Sequence, residues 1–185
     1  LRILLIITVI CITLGTYAQK QTKLDQALRF IESQAPAWNM SPNDVSDLIV
    51  SDNYTDDHNG VTHIYFNQQY KGIPIHNAIT SVHITKDGRV FNDAHRFVDN
   101  IDSKINTIKT KLTAQQALEQ LIRHLGIQNA IIPSLNSRSS KYDVVFDQSN
   151  FTSSPIPAKL KYQLMDDGSL RLVWNITTEL STTSD

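Results

Sequence analysis

The sequence predicts an α+β fold of two small units, each with a helix packed on an antiparallel sheet. Three observations carry this. Helix-period segments occur at residues 24–35 and again at 113–125, and β-branched or aromatic runs follow each. The dipeptides Asn59-Gly60, Asp87-Gly88 and Asp167-Gly168 sit between those runs, where tight hairpins need positive φ. The chain has 185 residues, 41% hydrophobic and 19% charged, which is enough apolar material for a core and argues against disorder throughout.

Residues 1–18 read LRILLIITVICITLGTYA. Arg2 supplies a positive start, residues 3–14 an apolar run, and Thr16-Tyr17-Ala18 a small-x-small site, so a cleavable export signal is expected with the cut between Ala18 and Gln19. The run is shorter than the roughly 20 residues that span a bilayer, so no stable membrane span is expected. The single cysteine, Cys11, lies inside this segment. The processed chain is therefore expected to lack disulfides and zinc sites of the cysteine type. A formal charge of −1 argues against a broad nucleic-acid surface, and no nucleic-acid partner is expected. These figures suit a small, exported binding or regulatory module.

A first unit spans residues 19–98. Leu24, Ala27, Leu28, Ile31 and Ala35 recur at helical spacing behind Thr22 as N-cap, and Pro36 stops the helix. Ser41-Pro42-Asn43-Asp44 starts a second, short helix, because Leu48-Ile49-Val50 already reads as strand. Residues 61–70 and 73–85 form a hairpin around Lys71-Gly72, and Arg89-Val90-Phe91 returns after Asp87-Gly88. Residues 99–112 are polar and read as a connector. A second unit spans 113–180. Its helix opens with the capping-box variant Thr113-Ala114-Gln115-Gln116 and carries Ala117, Leu118, Leu121, Ile122 and Leu125 on one apolar face before Gly126. Residues 127–140 read as loop, 142–146 as strand, and 159–165 with 170–177 as a hairpin. Residues 181–185 are a tail without structural signal.

The search for chemistry returns little. Six histidines, His58, His63, His76, His83, His95 and His124, include no helical i,i+4 pair with an intervening Glu, so neither a catalytic constellation nor a metal site is assigned. His76 and His83, seven apart, face opposite sides if one unbroken strand carries both. Asp52, Asp56 and Asp57 lack the spacing and terminal Glu of a calcium loop and read as a solvated turn. Gly-rich phosphate loops and Gly-x-Ser-x-Gly elbows are absent from the sequence. No cofactor and no enzymatic activity are expected of this chain. On the strand 61–70, Val61, His63, Tyr65 and Asn67 share one face and Thr62, Ile64, Phe66 and Gln68 the other. The second face suits a core, and the first, polar and aromatic, suits a partner.

The run from His58 to Ala78, HNGVTHIYFNQQYKGIPIHNA, closely resembles the fungalysin/thermolysin propeptide domain, where the stretch reads approximately H-N-G-V-T-H-V-Y-x-x-Q-x-x-x-G-I-P-V-x-N-A. The resemblance extends over roughly residues 41–98, with Asp87-Gly88 at the family's hairpin. More loosely, residues 113–177 resemble the second half of such prodomains, a PepSY-like unit, through a helix opening T-A-x-x-A-L and the strand Leu170-Arg171-Leu172-Val173-Trp174. The resemblance implies a cystatin/PepSY-like architecture. It implies that the chain is the export signal and prodomain of a secreted, fungalysin-type zinc metallopeptidase, an intramolecular inhibitor and folding assistant. The implied partner is the cognate catalytic domain, in cis or in trans, and zinc is expected only in that domain. The motif positions proposed to bind the partner are His58, Asn59, Gly60, Val61, His63, Tyr65, Gln68, Tyr70, Gly72, Ile73, Pro74, Asn77 and Ala78. The alternative is a free-standing secreted protease inhibitor or ligand-binding module.

Overall fold

A computed structural model describes residues 22–181; the export segment, the Ala18–Gln19 cleavage site and most of the tail lie outside the described residues. Helix α1 (Lys23–Gln34) begins where the spacing predicts. Thr22 caps it in extended conformation, its hydroxyl accepting from the Asp25 amide while the Asp25 carboxylate accepts from the Thr22 amide. The same Thr22 contacts hold the Asp25 carboxyl below its ordinary pKa. Ala27 and Ile31 are fully buried against Ile64, Phe66, Val82 and Ile84 of the sheet. A 3₁₀ turn (Pro42–Val45) follows, capped reciprocally by Ser41 and Asp44.

Strands β1 (Leu48–Thr55), β2 (Thr62–Tyr70), β3 (Ile73–Ile84) and β4 (Val90–Phe91) form an antiparallel meander. The β2–β3 hairpin turns through Lys71 and Gly72, with φ of 50° and 75°. Both central residues thus lie in the left-handed region that a primed hairpin turn needs. Asn77, at φ 57°, forms a bulge where the pairing jumps from Asn67↔Ile79 to Gln69↔Pro74. Strand β3 is therefore not unbroken, and the alternation that set His76 opposite His83 does not run through it.

In the second half, α3 (Ala114–His124), with Thr113 as N-cap and a complete capping box, buries Ala114, Leu118 and Ile122 against Val144, Phe146, Ile156 and Ala158. The sheet there comprises β5 (Leu135–Ser140), β6 (Asp143–Phe146), β7 (Ile156–Leu164) and β8 (Leu170–Ile176), paired antiparallel. Two sequence readings change. Residues 127–140 are not all loop, since β5 occupies the last six of them; every β5 residue is exposed, so no apolar alternation marked it. Residues 99–112 are not simply a polar connector. They contain a helical turn, α2 (Ile101–Lys104), with Ile101 buried, and Ile105 bridges to Leu170 in parallel.

The two halves share one mostly antiparallel, eight-stranded sheet, joined where β3 meets β7 in parallel at Ile75↔Tyr162. A middle core, distinct from those under α1 and α3, fills this junction with Ile73, Ile75, Ala78, Val98, Ile101, Leu160, Tyr162 and Leu170. Tyr162 is fully buried, and its hydroxyl donates to the Thr107 carbonyl at 3.0 Å. Burial pushes its phenol up to about 12.

Candidate functional site

Strand alternation divides the motif residues between two tasks. Thr62, Ile64, Phe66 and Gln68 are buried, as the two-residue period predicts, and His63, Tyr65 and Asn67 are half-exposed on the opposite face. Gln68 belongs to the interior. Its amide nitrogen donates to the carbonyls of Asp44 and Val98, both at 2.8 Å, and its carbonyl accepts from the Val98 amide at 2.7 Å. One side chain thereby ties β2 to the 3₁₀ turn and to the end of the first unit.

Asp44, read in sequence only as a helix-start acid, completes that knot. Its buried carboxylate accepts from the Ser41 amide, from the Asn100 amide at 3.0 Å and from the Ile101 amide at 2.8 Å. It therefore caps α2, 57 residues away. No local pattern in the sequence signals that partner.

The remaining motif residues set turns and packing. Asp56 organises the β1–β2 loop, its carboxylate accepting from the His58 amide and the Asn59 side chain, while the Asn59 side-chain oxygen accepts from the Val61 amide. Gly60, at φ 70°, closes the loop, and its amide donates to the Asp56 carbonyl. The Gly72 amide donates to Asp47 at 3.0 Å. Tyr70 donates its hydroxyl to Asp102 at 2.8 Å and packs edge-on against Tyr162. That donation is the largest cause of the depressed Asp102 pKa. Ile73 and Ala78 are in the middle core, Pro74 is half-buried, and Asn77 is exposed at the bulge.

What reaches the surface as a group is an aromatic and imidazole cluster on the outer face of β1–β4. Tyr54 stacks on His63 with ring centroids 5.0 Å apart and lies 6.3 Å from Tyr65. His63 and His83, paired across β2 and β3, bring their Nδ1 atoms to 2.8 Å. His83 Nε2 lies 3.2 Å from the Ser81 hydroxyl and 3.3 Å from the Asp93 carboxylate. With Nε2–H directed at Asp93, His83 Nδ1 accepts and His63 Nδ1–H donates, so at least one ring of the pair is neutral. Burial lowers the His83 pKa, and Asp93 partly opposes it. The Tyr65 phenol is raised, first by the Tyr54 hydroxyl and then by burial. Among the described residues, no group of three or more His, Cys, Asp or Glu is placed to hold a metal ion.

This arrangement is an aromatic and imidazole face on a hydrogen-bonded scaffold. Residues 46–92, which run from just after the 3₁₀ turn through β4, match the family model of the Fungalysin/Thermolysin Propeptide Motif. The chain carries a fungalysin/thermolysin propeptide motif. The propeptide motif lies within the 41–98 stretch that the sequence singled out; Gln68 and the His63–His83 pair fall inside it, and the Gln68 partners Asp44 and Val98 lie just beyond its two ends. Relatives extend the similarity into the second half. The chain is 30% identical to an extracellular metalloproteinase of Aspergillus fumigatus over 168 residues, covering 86% of this chain and 24% of the relative. It is 30% identical to one from Neosartorya fischeri, covering 88% and 25%, and 29% identical to one from Uncinocarpus reesii, covering 85% and 24%. The chain thus spans about a quarter of the length of the curated relatives it matches.

Proposed function

We propose that this chain is the propeptide portion of an exported, fungalysin-type zinc metallopeptidase, and that it inhibits the catalytic domain and assists its folding. The observation that carries this reading is the joint one: a propeptide motif at residues 46–92, and similarity along most of the chain to only a quarter of extracellular metalloproteinases. In this reading the two halves are a propeptide unit over residues 19–98 and a PepSY-like unit over 113–180. The zinc belongs to the catalytic domain, and residues 1–18 direct export. Among the described residues, no helix is long and apolar enough to cross a membrane.

The physics suits the role. A tethered inhibitor acts at an effective concentration of roughly millimolar, so a modest intrinsic affinity suffices and release after cleavage is fast. The outer face bearing Tyr54, His63 and Tyr65, backed by the buried His83, offers aromatic anchors on a rigid sheet. The test is to titrate the chain against the mature cognate peptidase and to refold that peptidase with and without it. Inhibition at about micromolar concentration and a higher refolding yield are expected. The absence of both overturns the proposal.

A further inference from the structure

The outer edge of β8 is an open strand edge set in a basic groove. In the β7–β8 ladder Leu172 pairs with Tyr162 and Trp174 with Leu160, while Arg171, Val173 and Asn175 alternate with them. The Asn106 amide donates to the Leu170 carbonyl at 3.1 Å, and the Asn106 side-chain oxygen accepts from the Leu172 amide at 3.2 Å. Both bonds lie on the side away from β7. By strand alternation the Leu172 carbonyl, the Trp174 amide and carbonyl, and the Ile176 amide point to that same side. Residues 105–106 occupy only the beginning of this edge, and among the described residues no strand pairs with the rest of it.

Beyond Asn106 the chain swings away and leaves a groove of about 520 Å³ between residues 106–112, the β8 edge and α3. Its apolar wall includes Leu112, Leu121, Leu172, Trp174 and Ile176. The Trp174 indole N–H donates to the Leu112 carbonyl at 2.9 Å, which fixes the wall. Lys109 and Lys111 line the groove, and a second groove of about 460 Å³, which shares Trp174 and both lysines with it, adds Arg138 and Lys141. No Asp or Glu lines either groove, and none of these four cations is in an ion pair among the described residues. In a chain of net charge −1, this concentration of positive charge is local.

We propose that the free edge of β8 accepts an extended polypeptide segment that alternates carboxylate and apolar side chains, and so extends the sheet by one strand. The backbone of the incoming strand meets the groups of Leu172, Trp174 and Ile176. One of its faces fills the apolar groove, and its carboxylates meet Lys109 and Lys111. Strand edges guarded by lysine resist pairing with uncharged strands, so the same cations select for an acidic one. This inference stands apart from protease inhibition, because the edge, groove and cations exist whether or not the chain inhibits a peptidase.

The test is fluorescence anisotropy of the full chain with a labelled peptide of about eight residues alternating Glu and Val. Its comparators are the Lys–Val peptide and the Glu–Val peptide N-methylated on its pairing edge. The Glu–Val peptide is expected to bind, and to weaken several-fold between about 50 and about 300 mM salt. The double variant K109E/K111E should weaken it about tenfold without moving the melting temperature. Hydrogen exchange at the Trp174 and Ile176 amides should slow when the peptide is saturating. Equal binding of the Lys–Val peptide overturns the proposal, as does equal binding of the N-methylated peptide, which would mark a mere polyanion patch. Unchanged exchange at Trp174 and Ile176, or no binding of the Glu–Val peptide, overturns it as well.

Discussion

His83 and His95 make the stability of the first half depend on pH near neutrality. Burial lowers the pKa of both below 6.5. His95 stacks on Trp38 at 4.3 Å, and its buried Nδ1 has no hydrogen-bond partner. His83 shares a proton with His63 and cannot do so once both rings are charged. The groups facing this pair are Tyr54 from β1, Tyr65 from β2, Ser81 from β3, Phe91 from β4 and Asp93 after β4, so among the described residues Asp93 is the one carboxylate in direct contact. The unfolded chain therefore binds more protons than the folded one as pH falls through 6.5, and stability falls with it; above 6.5 the contribution is fully present. Asp25, Asp87, Asp99, Asp102 and Asp167, all held below 3.8, weaken the fold only in a separate, more acidic window. Melting temperatures measured between pH 8 and pH 5 should drop below about pH 6.5, and the variant H83Q/H95Q should flatten that slope. A melting temperature constant across this range contradicts the account. At the same scale, Gln68→Ala leaves two carbonyls and an amide without their partner inside the protein. Urea unfolding should show a loss of about 3 kcal/mol, where a surface Gln such as Gln115 should show almost none.

Elements were legible in proportion to how much of their pattern is local. Both long helices were found within one residue of their observed ends, because Thr22 and Thr113 combine capping chemistry with a 3.6-residue period. The β2 strand was equally plain, since its buried and half-exposed residues alternate without a break from Thr62 to Gln68. Strand β5 was not, because an exposed edge strand of Leu, Asn, Arg and Ser carries no alternation. The structured start of the 99–112 segment was missed for another reason. Ile101 and Ile105 owe their places to Asp44 and Leu170, 57 and 65 positions away in the chain. The candidate site divides likewise: the face of His63 and Tyr65 follows from strand period, whereas the His83–Asp93 contact depends on how the chain returns after β4. The β2–β3 turn yields the prediction at this scale. Lys71 adopts φ 50° beside Gly72, a conformation that costs a residue with an ordinary Cβ more than it costs Asn. Lys71→Asn should stabilise the chain by about 0.5 kcal/mol in urea unfolding, and a destabilised variant would show that the Lys71 contact with the Tyr70 ring outweighs the turn.

For the molecule as a whole, the decisive feature is that two halves with separate cores meet through a third. The α1 cluster and the α3 cluster share no residues, and the middle cluster draws on β3, α2, β7 and β8 together. Tyr162 stands at its centre: buried, paired in parallel with Ile75, packed on Tyr70 and hydrogen-bonded to the 99–112 segment through Thr107. If this junction couples the halves, the chain unfolds in one transition, and the coupling should be separable from the stability of either half. Tyr162→Ala removes a large buried ring and should cost about 4 kcal/mol. Its diagnostic effect is on cooperativity. Trp38 packs on the first core and Trp174 on the middle and second, so single-tryptophan variants report the halves separately. In the parent chain both signals should change at the same urea concentration. In Tyr162→Ala they should part, with each half keeping its own helix and sheet. Tyr162→Phe, which loses only the bond to Thr107, should lower stability by about 1 kcal/mol and keep the signals together. Coincident transitions in Tyr162→Ala would mean that the β3–β7 pairing and Ile101, rather than the ring, hold the halves as one.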